Sequence, residues 1–151
     1  NFEEGERPEG FRGRRARIGY DLGTELIGAS LWEVPPGEAA YPYHFHYGDE
    51  EMLIVLEGTP SLRTPEGWRD LERGEVVSFP VGEAGAHQLA NKTDEPARIL
   101  AISTAEDVDA VIYPDSGKTG VHYRRGKSDE YRGLFKHGTE VDYWDGEKPP
   151  S

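Results

Sequence analysis

The sequence contains no Cys among its 151 residues. Disulfides, thiolate metal ligands and a Cys nucleophile are therefore excluded, and any bound metal must be held by nitrogen and oxygen atoms. The lack of Cys fits a reducing cytoplasm, which is the location that we expect. The first residue is Asn rather than Met, which leaves the completeness of the N-terminus open.

Basic residues are also scarce, with 17 Lys and Arg against 29 Asp and Glu and a net charge of -12. Such a charge repels phosphate backbones and anionic lipid surfaces, so we expect no nucleic-acid partner and no membrane partner. No window approaches the roughly 18 consecutive apolar residues of a membrane-spanning helix, and no apolar signal segment opens the chain. We expect a soluble protein with a single core, given the length of the chain.

No stretch repeats apolar residues at helical spacing over three turns. Instead, 19 Gly and 11 Pro separate short runs rich in Val, Ile, Leu, Phe and Tyr. This pattern predicts an all-β barrel or sandwich of eight short strands. The predicted strands cover residues 16–21, 26–34, 39–46, 51–57, 61–64, 75–79, 86–91 and 98–103.

Composition divides the chain into three predicted parts. Residues 1–15 are charged and interrupted by Gly and Pro, which predicts an N-terminal arm, and residues 16–103 form the barrel. Strand residues 52–56 and 99–102 are apolar on both faces, so we expect a second sheet on one face. The other face is expected to meet the remaining segments of the domain or another copy of the chain, and the second choice predicts a homodimer. Residues 104–151 are acidic but aromatic enough to predict an extension packed on the barrel, through Tyr113, Tyr123, Tyr131, Phe135, Tyr143 and Trp144.

One segment of the predicted barrel carries a cluster of potential metal ligands. It reads Gly-x6-His-x-His-x4-Glu-x6-Gly and contains His44, His46 and Glu51. Two His side chains spaced two residues apart on a strand project from the same face. A turn at residues 48–49 then brings Glu51 back to that pocket. An unpaired carboxylate among apolar residues would cost several kcal/mol, and a cation would remove that cost.

A second segment reads Gly-x5-Pro-x-Gly-x4-His-x3-Asn and adds His87. Together the two segments resemble the paired motifs of the cupin superfamily, whose fold is a double-stranded β-helix or jelly-roll barrel. In that family the two His and the Glu of the first motif and the His of the second bind one divalent metal. The resemblance therefore implies a metal site formed by His44, His46, Glu51 and His87. The loops after Gly37 and before His87 are longer than in the family pattern.

The resemblance extends beyond the two motifs, over most residues from 26 to 118. Runs such as PYHFHY, LIVLEGTPSLRTPEG and FPVGEAGAHQLAN are similar to single-domain bacterial cupins of the conserved-barrel type, whose activity is uncharacterised. This similarity implies a fold and a site, but it implies no reaction. A barrel that binds no metal is the alternative, and Glu50 is the rival to Glu51 as the carboxylate ligand.

Other polar residues are expected to be structural. His122 and His137 lie outside both motifs and are expected at the surface, while Tyr43 and Gln88 alternate with the ligands and are expected to face away from the metal. The three Arg within residues 14–17 are interpreted as a solvated stretch, with phosphate binding as a minor alternative. Turns are expected at Gly37, Gly58, Gly74, Gly82 and Asn91.

Three imidazoles and one carboxylate suit Fe(II), Mn(II), Ni(II), Cu(II) or Zn(II), and the ligand types do not choose among them. We therefore expect a metal-dependent enzyme, an oxygenase, isomerase or lyase, acting on a small polar metabolite. The sequence identifies no catalytic residue beyond the ligands. Two alternatives remain open, a small-molecule binding or sensing module and a metal-independent sugar epimerase.

Overall fold

The computed structural model describes residues 2–3, 6–125 and 128–149. Within these ranges the chain forms twelve β-strands and one short α-helix, α1 (Ile18–Leu22), which confirms the all-β class. The strands are β1 (Arg14–Ala16), β2 (Ile27–Val34), β3 (Phe45–His46), β4 (Glu51–Glu57), β5 (Ser61–Thr64), β6 (Gly67–Asp70), β7 (Val76–Phe79), β8 (Gln88–Ala90), β9 (Ala97–Thr104), β10 (Val108–Tyr113), β11 (Lys118–Arg125) and β12 (Ser128–Lys136).

The strands form three antiparallel sheets, in the orders β1-β2-β9-β4-β7, β12-β11-β10-β3 and β6-β5-β8. The core lies between the five-stranded and three-stranded sheets. Leu53 and Ile99 from the larger sheet and Leu62 and Leu89 from the smaller one are at most 1% exposed and belong to one cluster. Their alternation with outward residues follows from the two-residue period of a strand.

The opposite face of the five-stranded sheet is also apolar, but the single chain leaves it open. Met52 and Val76 are 40% and 57% exposed. Within one chain, therefore, only the inner face of this sheet is covered, although cover was expected on both faces.

The predicted strand over residues 16–21 is wrong, because helix α1 begins at Ile18. Gly23 ends this helix in the left-handed conformation with φ 80° and donates its N–H to the carbonyl of Tyr20. The next N–H, of Thr24, reaches the carbonyl of Gly19. This pair of bonds is a Schellman cap, which stabilises a helical turn that alternation alone does not reveal.

The predicted strand over residues 39–46 is also too long, since regular pairing is confined to β3. Pro42 has no N–H and cannot extend the ladder. Isolated bridges pair Ala39 with Ala90 of β8 and His44 with His87, so the segment still lies beside β8 and the residue that precedes it. Strands β6, β11 and β12 were not predicted, because their sequences are charged and contain Gly, and the mostly apolar strand β10 lies beyond the predicted end of the barrel.

The turns agree with the sequence. All four motif glycines, Gly37, Gly58, Gly74 and Gly82, have positive φ. The buried side chain of Asn91 donates to the carbonyls of Val34 and Glu95 and so closes the turn after β8.

Strand β10 lies beyond the predicted barrel boundary at residue 103, yet it pairs with β3. Through this pairing the C-terminal part of the chain reaches the strand that carries His46. The described residues form no helix long and apolar enough to cross a membrane.

Candidate metal centre

Two short pieces of extended chain position the three motif histidines. His46 ends β3, while His44 exchanges backbone hydrogen bonds of 2.8 and 3.1 Å with His87. The ring of Phe79 stacks on the ring of His87 at a centroid distance of 3.7 Å. The longer loop before His87 therefore does not displace it from the other two histidines.

Glu51 is the first residue of β4, and its side chain points toward the histidines. Its Oε2 lies 3.4 Å from Nε2 of His46 and 3.4 Å from Nε2 of His87. Potential ligand atoms of His44, His46 and Glu51 all lie within 4.8 Å of one another. Glu50 is exposed instead, and its backbone N–H donates to the hydroxyl of Thr104. The geometry thus favours Glu51 over Glu50.

Each of the three imidazoles has an acceptor opposite its Nδ1 atom. The distances are 2.8 Å from His44 to the carbonyl of Pro42 and 2.9 Å from His87 to the carbonyl of Gly85. For His46 the acceptor is Oδ2 of Asp109 at 2.5 Å. An acceptor at Nδ1 fixes the proton there and leaves the Nε2 lone pair free, as in histidines that bind metals.

Two polar atoms of this cluster lack a hydrogen-bond partner although they are buried, namely His46 Nε2 and Glu51 Oε2. Buried polar atoms are rarely left without a partner. Donor atoms bound about 2.1 Å from one ion lie about 3.0 to 3.4 Å apart, which is the spacing found around Glu51. The cluster therefore fits a divalent metal ion held by nitrogen and oxygen atoms.

Burial determines the protonation of most of the cluster. Burial lowers the pKa of His44 well below its usual 6.5 and that of His87 to about 4, so both rings stay neutral. Burial also opposes a charge on His46, but the hydrogen bond to Asp109 and the negative charges of Glu51, Asp109 and Asp49 together outweigh it and raise the pKa of His46. Burial raises the pKa of Glu51. A cation among these groups would restore the carboxylate charge.

Asp109 belongs to the candidate site, although the sequence did not reveal it. It lies on β10, is 1% exposed, and accepts hydrogen bonds from the N–H of Gly48 and from His46. The signal was hidden because the strand containing it was not predicted. The structure thus places a carboxylate behind the histidine of β3, where it orients the ring.

Two other expectations are wrong. His122 does not lie at the surface away from the site, because β11 brings its Nε2 to 3.9 Å from Oδ2 of Asp109. Arg15 is partly buried beside the cluster rather than solvated, unlike its exposed neighbour Arg14. His137 is exposed, as expected, and its ring contacts the hydroxyl of Thr119. Tyr43 and Gln88 are not among the residues that line the two cavities at the cluster.

The cluster borders two cavities. An inner one of about 180 Å³ is lined by Arg15, Tyr41 and apolar residues of the core, and an outer one of about 230 Å³ extends toward β11 and β12. Both include His44, His46 and Glu51. Pockets for drug-sized ligands span roughly 300–1,000 Å³, so the inner cavity suits a smaller molecule.

Comparison with known proteins agrees with this architecture. Residues 30–103 match the family model of the cupin domain. The chain belongs to the cupin superfamily. No curated protein matches the chain significantly.

Several solved cupin structures are similar to this chain. A sugar phosphate isomerase of the cupin superfamily from Silicibacter pomeroyi DSS-3 is 24% identical, with a TM-score of 0.76 over 87% of this chain and 81% of its own. A candidate sugar phosphate isomerase from Acidithiobacillus ferrooxidans ATCC 23270 is 27% identical, with a TM-score of 0.73 over 86% and 80%. The polyketide cyclase RemF from Streptomyces resistomycificus is 25% identical, with a TM-score of 0.59 over 70% and 74%.

The lowered pKa of His87 predicts how the stability of the metal-free cupin depends on pH. Between pH 6.5 and about 4 the unfolded chain binds a proton at His87 that the folded chain does not. The free energy of unfolding should therefore fall as the pH drops through this window, by up to about 1.4 kcal/mol per pH unit from this group. Urea unfolding in the presence of a chelator, repeated from pH 7.5 to 4.5, measures this change in the free energy of unfolding.

The matched variants are His87→Asn and His137→Asn. The first should reduce the pH dependence in this window and leave the contribution of His44, and the second should leave the dependence as in the wild type. Parallel curves for the wild type and His87→Asn would contradict the burial of a neutral imidazole.

Proposed function

We propose that this cupin is a metal-dependent enzyme that isomerises a small polar metabolite, with one divalent ion bound by His44, His46, Glu51 and His87. The observation that carries the proposal is that Nε2 of His46 and Nε2 of His87 lie 3.4 Å from one buried carboxylate oxygen of Glu51, with a nitrogen of His44 close to His46 and Glu51, beside a cavity of about 180 Å³. Fe(II), Mn(II), Ni(II), Cu(II) and Zn(II) all suit this donor set.

The choice of isomerisation among the reactions expected of a cupin is supported by the candidate sugar phosphate isomerase at 27% identity. When bound, a divalent ion acts as a Lewis acid toward a carbonyl or hydroxyl oxygen of a substrate. That activity suits the interconversion of neighbouring carbonyl and hydroxyl groups.

The chain's own residues prepare the cavity for this chemistry. Burial raises the pKa of Tyr41, so its phenol keeps its proton at neutral pH and acts as a hydrogen-bond donor to substrate oxygens. Trp32, Leu53 and Phe79 line the same cavity and exclude water from it. Hydrogen bonds and charge interactions with polar substrate atoms are stronger in such a low-dielectric surrounding than in water.

The experiment tests metal content and turnover together. Protein purified without chelators should contain about one metal ion per chain and should interconvert an aldose phosphate and its ketose isomer, followed by NMR. His46→Ala, His87→Ala and Glu51→Gln remove a ligand and should each lower metal affinity by at least about 10-fold, and turnover with it. His137→Ala and Glu50→Gln are the matched controls and should retain both.

Each other result has a definite meaning. Turnover that survives chelation would contradict the metal-dependent reaction and favour the metal-independent epimerase. Metal and ligand binding without any product would favour the binding or sensing module. Equal metal content in His46→Ala and His137→Ala would refute the ligand set.

We further propose that two copies of the chain pair through the outer face of the five-stranded sheet. Register places Ile54 between Val76 on β7 and Leu100 on β9, and Leu100 opposite Leu31 on β2. The resulting apolar surface spans four strands. An open apolar surface of this kind is uncommon on a monomer, and a second copy of the same sheet would cover it.

A single charge placed on this face should weaken the dimer. We expect the wild type to sediment as a dimer and Val76→Lys to shift toward the monomer, because burying an unpaired ammonium is costly. Val108→Lys is the matched control, since Val108 is 59% exposed on another sheet. Analytical ultracentrifugation decides, and a monomeric wild type would exclude the proposal.

A further inference from the structure

Arg15 differs from the arginines beside it. Arg14 lies 2.9 Å from a carboxylate oxygen of Glu33, and Arg17 pairs with Glu3. Arg15 has no carboxylate within 4.0 Å among the side chains that the structure describes. Its Nε donates instead to the hydroxyl of Ser30 at 2.9 Å.

The position of Arg15 is set by strand pairing. On β1 it lies opposite Trp32 of β2, and its guanidinium stands 5.6 Å from the centre of the Trp32 ring. The bond to Ser30 and the indole hold the Nε side of the group. The two terminal nitrogens have no hydrogen-bond acceptor among the described residues and so remain available for a ligand.

Arg15 also lines both cavities that meet at the metal cluster. It shares the inner cavity with Tyr41 and the ligand histidines, and the outer cavity with Arg132 of β12. Burial disfavours the charge and lowers the pKa of Arg15, yet a guanidinium keeps its proton in proteins. A positive charge is thus held beside the cluster in a chain whose net charge is -12.

We propose that Arg15 binds the anionic group of the substrate, a carboxylate or a phosphate, while another part of the substrate reaches the metal cluster. A planar guanidinium with two free terminal nitrogens suits bidentate binding of either anion. This inference rests on the proposed function for the second contact, but the anion site itself does not require turnover. It makes Arg15 a specificity-determining residue that excludes neutral sugars.

A different role for Arg15 is to neutralise Glu51. The two charges interact, since the pKa of Glu51 is lowered by Arg15 against the dominant effect of burial. In that role the loss of Arg15 would change metal affinity and leave anion binding unaffected. The two roles therefore make opposite predictions for one variant.

The test uses the full-length protein, both metal-loaded and treated with chelator, titrated calorimetrically with inorganic phosphate and separately with acetate. Arg15→Gln should weaken binding of the preferred anion by about 10- to 100-fold, the effect of losing a charge-assisted hydrogen bond. Arg14→Gln makes the same change of charge one residue away, on an exposed side chain, and should leave the affinity unchanged. Arg15→Lys keeps the charge without the planar fork and should be intermediate.

The outcomes separate the possible ligands. Phosphate bound more tightly than acetate, with dependence on Arg15, indicates a phosphate ester, and the reverse order indicates a carboxylate. Equal affinities in the wild type, Arg15→Gln and Arg15→Lys would overturn the proposal, as would a change in metal content alone. Binding that depends on Arg15, in a protein that takes up no divalent metal even when the metal is supplied, would instead refute the proposed metal-dependent function and keep the anion site.

Discussion

The buried hydrogen bond between Asp109 and His46 is the contact on which the site depends. Asp109 is 1% exposed, and a carboxylate in such a place requires partners. It receives them from the ring of His46 and from the backbone of the turn after β3, at Gly48. One side chain on β10 therefore fixes a histidine, a turn and the pairing of β10 with β3. This turn also places Glu51, the first residue of β4, beside the histidines.

Protonation and packing act together around this contact. Backbone carbonyls and Asp109 occupy the Nδ1 atoms, so the Nε2 atoms face the cavity. Burial keeps His44 and His87 neutral, and it leaves Glu51 as a carboxyl whose charge is disfavoured until a cation is present. Without a cation, the burial of His46 Nε2 and Glu51 Oε2 without hydrogen-bond partners costs free energy. Binding of a divalent ion would convert that cost into affinity.

Most of the barrel follows from local sequence. Short apolar runs between turn residues identified the strands that carry the buried Leu53 and Ile99, and the motif glycines marked turns that need positive φ. The four residues of the paired motifs come together in space. Their resemblance to the cupin motifs was the decisive signal, because spacing alone left Glu50 and Glu51 open.

The missed features have physical reasons. His122 lies on a strand whose charged, Gly-containing sequence resembles a loop, so its pairing depends on tertiary contacts. Asp109 lies on the mostly apolar strand β10, which is beyond the predicted end of the barrel and joins the site only by pairing with β3. Arg15 was assigned to solvent because its neighbours are charged. Only the pairing of β1 with β2 shows that Arg14 and Arg15 point to opposite sides, one to Glu33 and the other to the cavity. Helix α1 depends on a cap at Gly23.

The most direct test of the account is anomalous diffraction from crystals of the manganese-loaded or zinc-loaded protein. The account predicts one peak per chain, about 2.0 to 2.2 Å from Nε2 of His44, His46 and His87 and from a carboxylate oxygen of Glu51. Potential ligand atoms of His46, Asp49 and Asp109 also lie within 4.8 Å of one another. A peak among these three residues instead, coordination through Nδ1 of the motif histidines, or no ordered metal at saturating concentration would contradict the account.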